Sequence, residues 1–178
     1  MTATERGTAL HLAMQYIDFA ACGDEACVNR EVQRLEKKAL LTKEQAAAVD
    51  SQKIVRFIES DIGKRVMQSQ NVKREFKFSL LCEVEQFYPG MSPPPPPGRE
   101  ADRILFQGVI DCYFEENGEL TVLDFKTDHV TPETLEEKTN NYTGQLTAYA
   151  KALERITGKH VKERIIYFFT MDKAIPLK

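Results

Sequence analysis

Asp111, Asp124 and Lys126 are the residues of this chain whose types and spacing could do chemistry together. Between the two acids lies Asn117-Gly118, and Asn-Gly between two apolar runs is a strong signal for a two-residue hairpin turn. The predicted strands are Arg103–Glu116 and Glu119–Thr127. With Asn117 and Gly118 as the loop, Glu116 pairs with Glu119, and the same register sets Asp111 opposite Asp124. Cross-strand partners hold their Cβ atoms roughly 4.5–5.5 Å apart, and like charges there repel. Side chains alternate along a strand, so Lys126 shares the face of Asp124 while Phe125 points away. Two carboxylates beside an amine suit a hard divalent cation with oxygen ligands. Such an ion lowers the pKa of a water and screens a phosphodiester's charge. Lys126 could orient the attacking water or stabilise charge growing at phosphorus. The bland alternative is a solvated hairpin face. Against it, Val109, Ile110, Val122, Leu123 and Phe125 make both strands look central, and central strands seldom carry acids without a reason.

The rest of the chain has to position these groups. At 178 residues, 42% hydrophobic and 29% charged, it suits one domain of ordinary size with a real core. Its apolar runs are too short to span a bilayer, and no signal peptide is visible in the polar start Met1–Gly7. A net charge of −3 is unlike that of a free-standing nucleic-acid binder, so any strong grip on phosphate must be local or lie elsewhere. Cys22, Cys27, Cys82 and Cys112 form no Cys-x-x-Cys. They read as buried free thiols of a reducing cytosol, with Cys112 turned into the core.

The first 70 residues read as helical. Leu10, Met14 and Ile17 give a helix over Glu5–Phe19. Ala21–Arg30 reads as a turn and Glu31–Lys38 as a charged helix. Thr42 caps a helix that runs to about Ser60, with Ala46, Val49, Ile54, Phe57 and Ile58 on its core face. Asp61–Met67 is a further short helix or turn. Residues 71–178 read as an αβ core. Val72–Val84 alternates as a strand, with Phe76, Phe78 and Leu80 on one face and Glu75, Lys77 and Ser79 on the other. Lys73, Arg74 and Lys77 read as a solvated edge. Phe87–Asp102 is a loop whose proline run, Pro93–Pro97, is extended and reads as a stiff surface insertion. Past the hairpin, one helix begins at Thr131-Pro132-Glu133 and a second, stronger one runs from about Asn141 to Ile156. Val161–Thr170 is the last strand. The order is that of a mixed sheet with helices packed on it.

Gly108-Val-Ile-Asp111 followed by Leu123-Asp124-Phe125-Lys126-Thr127 resembles the G-x-x-D and D-x-K-T signatures of the RecB-like nucleases of the PD-(D/E)-x-K superfamily. Gly7-Thr8-Ala9-Leu10-His11 resembles that family's G-T-x-x-H helix motif, and Tyr142-x-x-Gln145-Leu146-x-x-Tyr149 its Y-x-x-Q-L-x-x-Y motif. Four blocks in the right order over essentially the whole chain make the resemblance specific. It is strongest to the C-terminal nuclease domain of the large, AddA-type subunit of bacterial helicase–nucleases.

The resemblance implies a restriction-endonuclease-like α/β fold with about four strands, and a DNA exonuclease dependent on Mg²⁺, with Mn²⁺ as a substitute. His11, Asp111, Asp124 and the carbonyl of Phe125 would hold the metal, Lys126 would be the catalytic lysine, and Gln145 and Tyr149 would line the site. Glu75 matches an acidic position that supports it. Taken singly, His11 is an ordinary helix histidine, Tyr149 ordinary packing and Glu75 a partner of Arg74 and Lys77. The cysteine pattern does not match that of relatives holding an iron–sulfur cluster, so none is expected. No G-x-x-x-x-G-K-[ST] occurs, so no ATP site is expected either. The implied partners are single-stranded DNA, the helicase domains of a longer parent polypeptide from which this chain would be a fragment, and a second, AddB-type subunit. No membrane is implied, and the implied compartment is the bacterial cytoplasm. A catalytically inactive strand-binding module and a stand-alone nuclease of another branch are the competing readings.

Overall fold

A computed structural model describes residues 1–83 and 103–177. The loop Phe87–Asp102 with Pro93–Pro97, and Val84 at the predicted strand end, lie outside the described residues. Five helices come first: α1 (Ala3–Tyr16), α2 (Glu25–Lys37), α3 (Lys43–Ala48), α4 (Ser51–Glu59) and α5 (Asp61–Gln68). Three strands follow, β1 (Val72–Glu83), β2 (Arg103–Glu116) and β3 (Glu119–Lys126), then helix α6 (Leu135–Thr157) and strands β4 (Val161–Phe168) and β5 (Lys173–Pro176). The strands lie side by side in chain order, antiparallel except for the parallel pair β3–β4. This is the mixed sheet flanked by helices that the sequence predicts, with five strands among the described residues rather than about four.

Side-chain caps set most of the helix boundaries. Thr2 and Glu5 form a capping box that starts α1 earlier than expected. Asp24 accepts from the amide of Cys27 and starts α2 inside the predicted turn Ala21–Arg30. Thr42 and Gln45 cap α3 as predicted, but the helix does not reach Ser60. Asp50 accepts from the amides of Gln52 and Lys53 and begins α4 afresh. The two helices predicted around Thr131–Ile156 are one 23-residue helix, because Pro132 lies in the turn before it. No helix among the described residues is long and apolar enough to cross a membrane.

The hairpin turn has both residues in the left-handed region, Asn117 at φ 54° and Gly118 at φ 85°, as a primed two-residue turn requires. Its register is the predicted one: Glu116 faces Glu119, Tyr113 faces Val122 and Cys112 faces Leu123. Two cores sandwich the sheet. On one face Cys112, Phe114, Leu123, Phe125, Ile165 and Tyr167 meet the N-terminal helices. Phe57 of α4 is the hub there, edge-on to Phe125 at 5.2 Å and to Tyr167 at 5.0 Å between ring centroids. On the other face α6 covers Ile110, Leu120 and Val122 through Ala150 and Leu153, and Ile166 and Phe168 through Leu146.

β1 does not keep one alternation. Val72 packs with the N-terminal helices and Arg74 bonds to α1, whereas Phe76, Phe78 and Leu80 pack on the α6 side. β2 changes sides at the same level: Cys112 and Phe114 face the N-terminal helices, Ile110 and Phe106 the other side. The exchange happens where Glu75 has φ 50° and the β1–β2 ladder skips from Arg74↔Cys112 to Phe76↔Ile110.

Two stability tests follow from this packing. Phe57, 1% exposed, has no way to be replaced without a cavity, so Phe57→Ala should cost about 3–5 kcal/mol in denaturant unfolding. At the hairpin end, Arg65 donates to both carboxylate oxygens of Glu116, at 3.1 and 2.7 Å, and also pairs with Glu163. Lys162 lies 2.9 Å from Glu116. Arg65 first, then Lys162, hold the Glu116 carboxyl down to about 2. A depressed acid stabilises the fold above its unfolded value, and that contribution is lost as pH falls from about 4.5 toward 2. Wild type should therefore lose more stability than Glu116→Gln between pH 5 and pH 3 in paired urea titrations.

Candidate active site

The rung at which β1 and β2 change sides carries an acid on each of three neighbouring strands: Glu75 on β1, Asp111 on β2 and Asp124 on β3. The β2–β3 ladder ends one rung short, at Cys112↔Leu123. Beyond it Oδ2 of Asp111 accepts the N–H of Phe125 at 2.8 Å. A side chain thus takes the donor where the ladder stops, and the two aspartates stand at the point where the strands part.

Four elements bring charge to this point. From α1, Nδ1 of His11 lies 3.6 Å from Oδ2 of Asp111. From β3, Nζ of Lys126 lies 2.7 Å from Oδ2 of Asp124. That contact is off the axis of a hydrogen bond, so the buried Oδ2 has a charge beside it but no aligned donor. From α6, the ring of Tyr142 covers Lys126, with Nζ 4.3 Å from its centroid, while its hydroxyl donates to Asp128. From β1, the left-handed Glu75 brings its carboxylate to the cluster. One ligand atom each from His11, Glu75 and Asp111 lie within 4.8 Å of one another.

The electrostatics follow from burial. Asp124 is 3% exposed. Desolvation, and then the Asp124 charge, push the Asp111 carboxyl up to about 7. Desolvation also raises Asp124, against the pull of Lys126. It lowers His11, outweighing the attraction of Asp124. It raises Glu75 as well, with Lys77 opposing. Three acids that resist ionising describe a buried site short of positive charge, and the same burial keeps the imidazole neutral. A divalent ion contacts its ligands at about 2.0–2.6 Å, so donor atoms within about 4–5 Å of one another can share one. The donor set of His11, Glu75 and Asp111, carboxylate oxygens plus a neutral imidazole, fits such an ion, while Oδ2 of Asp124 lies against Lys126 and outside this trio.

Close backbone approach makes the assembly possible. A side chain on Gly7 would put its Cβ 2.6 Å from Oγ1 of Thr127, so α1 lies near the end of β3 at a spot where any larger residue requires the Thr127 hydroxyl or the helix to shift. On the other face, a Cβ at Gly108 would come within 2.9 Å of Phe78 and Tyr149. Arg74 holds α1 from below. Its guanidinium donates to the carbonyls of Met14 at 2.9 Å and Ile17 at 2.6 Å and stacks over Phe19. The expectation of a solvated edge is corrected for Arg74: its partners are the open carbonyls of the last turn of α1, which a cation satisfies well.

The sequence-derived residues thus separate into groups. His11, Asp111, Asp124, Lys126 and the main chain of Phe125 converge, and Glu75, first read as a supporting acid, joins them. Gln145 and Tyr149 lie on the flank of α6. Nε2 of Gln145 donates to Oη of Tyr149 at 2.9 Å, and the Tyr149 ring packs edge-on to Phe78. Tyr142, one turn before Gln145, covers Lys126; the sequence reading placed it in the Y-x-x-Q-L-x-x-Y motif but gave it no role at the site. Its place in the Tyr142-x-x-Gln145 spacing was the available signal.

A family model described as the PD-(D/E)XK nuclease superfamily matches residues 1–176. The chain is 37% identical over 177 residues to the A subunit of the ATP-dependent helicase/nuclease of Clostridium botulinum (strain Kyoto / Type A2), covering 98% of this chain and 13% of that protein. It is 37% identical over 174 residues to the corresponding A subunit of Clostridium novyi (strain NT), covering 98% and 14%. The chain therefore spans only 13–14% of the length of these relatives. With motifs, sheet and acidic rung in agreement, the chain belongs to the PD-(D/E)XK nuclease superfamily.

Proposed function

We propose that this chain is a Mg²⁺-dependent DNA exonuclease domain that cuts single-stranded DNA inside a longer helicase–nuclease, in the processing of double-strand breaks. The observation that carries the reading is the rung of Glu75, Asp111 and Asp124 with His11 on one side and Lys126 on the other. The names of the relatives, each an ATP-dependent helicase/nuclease, support the setting. A partner of AddB type belongs to the same proposal.

His11, Asp111, Asp124, the carbonyl of Phe125 and Glu75 would hold the cation. When bound it supplies neutralisation of the phosphodiester and a water of lowered pKa. The chain's own groups do the remainder. Asp111 is fixed by the Phe125 amide, so its free oxygen keeps one direction. Lys126 neutralises Asp124 until other positive charge arrives, and its ammonium is then free to face the reacting phosphate. The Tyr142 ring limits where that ammonium can go, since a cation over an aromatic face is held by about 0.5–2 kcal/mol. Gln145 and Tyr149, hydrogen-bonded to each other on α6, would contact the arriving strand.

Labelled single-stranded DNA incubated with the chain and Mg²⁺ should be cut. Asp124→Asn and Lys126→Ala should each lower the rate at least about 10²-fold; equal rates would reject the site. A stability measurement gives an independent check. The Asp111 carboxyl is raised to about 7, so its ionised form destabilises the metal-free fold as pH rises from the ordinary aspartate range through 7. Asp111→Asn should therefore melt higher than wild type at pH 8 in chelator. It should also lose most of the stabilisation that Mg²⁺ or Mn²⁺ gives wild type.

A further inference from the structure

Two cavities open beside His11 on the α1 side of the sheet, and no role in the reaction accounts for them. One, of about 400 Å³, is lined by Thr4, Gly7, Thr8, His11, Thr127 and Asp128. The other, of about 240 Å³, continues past Gly7 and Thr127 to Arg6, Asp50 and Lys53. They share Ala3, Gly7 and Thr127. The saddle between them is low because Gly7 has no side chain where α1 touches Thr127. The result is a trench along two turns of α1. Thr4 and His11 mark its near part, about 10 Å apart at the helix rise.

The charges along the trench are uneven. At the far end neither Arg6 nor Lys53 lies in an ion pair with a carboxylate among the described residues, and Arg6 Nη1 donates to the carbonyl of Met1 at 3.1 Å. The two acids on its walls keep their charge but are turned to donors of their own. Asp50 accepts from the amides of Gln52 and Lys53 as the cap of α4, and Asp128 accepts from the Tyr142 hydroxyl. Hydroxyls of Thr4, Thr8 and Thr127 line the middle. A path with hydroxyl walls, cations at its outer end and a candidate cation site at its inner end matches a sugar–phosphate backbone better than a peptide or an apolar ligand. A chain with net charge −3 has little diffuse attraction for DNA, so the share of the grip that this chain supplies comes from placed cations.

We propose that the trench seats the backbone of the single strand beside the scissile phosphate, with Arg6 and Lys53 contacting one phosphate each. The proposal rests on the DNA-nuclease reading and adds the side of the site along which the strand lies.

The salt dependence of binding tests it without any cutting. The full chain is titrated against a fluorescein-labelled short oligo(dT) in chelator, by anisotropy, over a series of salt concentrations. Each phosphate neutralised on a single strand contributes about −0.7 to the slope of log K against log salt. The Arg6→Gln/Lys53→Gln double variant should have a slope shallower by about 1.4, at unchanged melting temperature. The exposed pair Lys37 and Lys38 on and after α2 serves as control, and Lys37→Gln/Lys38→Gln should keep the wild-type slope. A wild-type slope in the Arg6/Lys53 variant, or an equal loss in the control, overturns the trench while leaving the nuclease reading intact if wild type still cuts DNA. A wild-type chain that neither binds nor cuts the oligonucleotide overturns both.

Discussion

Carboxylates taken out of water beside one another govern this structure. Asp124 is almost fully buried, Asp111 stands next to it at the parting of β2 and β3, and Glu75 completes the rung. Burial alone disfavours each charge, and each charge disfavours its neighbours. The fold offsets this by local means: an amide for Asp111, an ammonium for Asp124, and an imidazole kept neutral enough to donate a lone pair. None of these supplies full compensation, as the raised Asp111 shows. The folded chain is thus left short of positive charge at one point.

The irregular backbone at that point serves the same end. A regular ladder would spend the Phe125 amide on a carbonyl and leave the Asp111 carboxylate without a donor. Ending the β2–β3 ladder at Cys112↔Leu123 frees the amide. On the other side, the left-handed Glu75 interrupts β1–β2 and reverses which face each strand presents. A non-glycine residue in that region costs of order 1–3 kcal/mol, which the aromatic packing on both faces, centred on Phe57 and Phe78, over-determines.

The parts of this arrangement that were legible in the sequence are those set by local chemistry. Asn117-Gly118 specified a primed turn, and the turn fixed the pairing out to Cys112↔Leu123. Thr42 with Gln45 specified a helix start. The misses have a common cause. Asp24 and Asp50 cap helices in stretches whose apolar rhythm is weak or continuous, so the rhythm outvoted the cap. The reversal at Glu75 is invisible to an alternation rule, because Phe76, Phe78 and Leu80 alternate correctly among themselves and only Val72 and Arg74 betray the change of phase. β5 is four residues ending in proline, too short to register as a strand. Arg74 looked like a surface charge because its partners are main-chain carbonyls from a helix some 60 residues earlier, the kind of contact that composition does not encode.

The same distance in sequence explains why the site needs its two glycines. His11, Glu75, Asp111, Asp124 and Tyr142 come from five separate elements, and no local propensity brings them together. What does is the packing of α1 on one face of the sheet and α6 on the other. The contact distance on each face is set by the smallest side chain in the way, Gly7 against Thr127 and Gly108 against Phe78 and Tyr149. A methyl at Gly7 would meet the Thr127 hydroxyl, and whatever part of the strain that side chain does not absorb falls on α1 and on His11 one turn away. The spacing Gly7-x-x-x-His11 is therefore a mechanical link: the residue that permits the approach and the residue that uses it share one face of one helix turn.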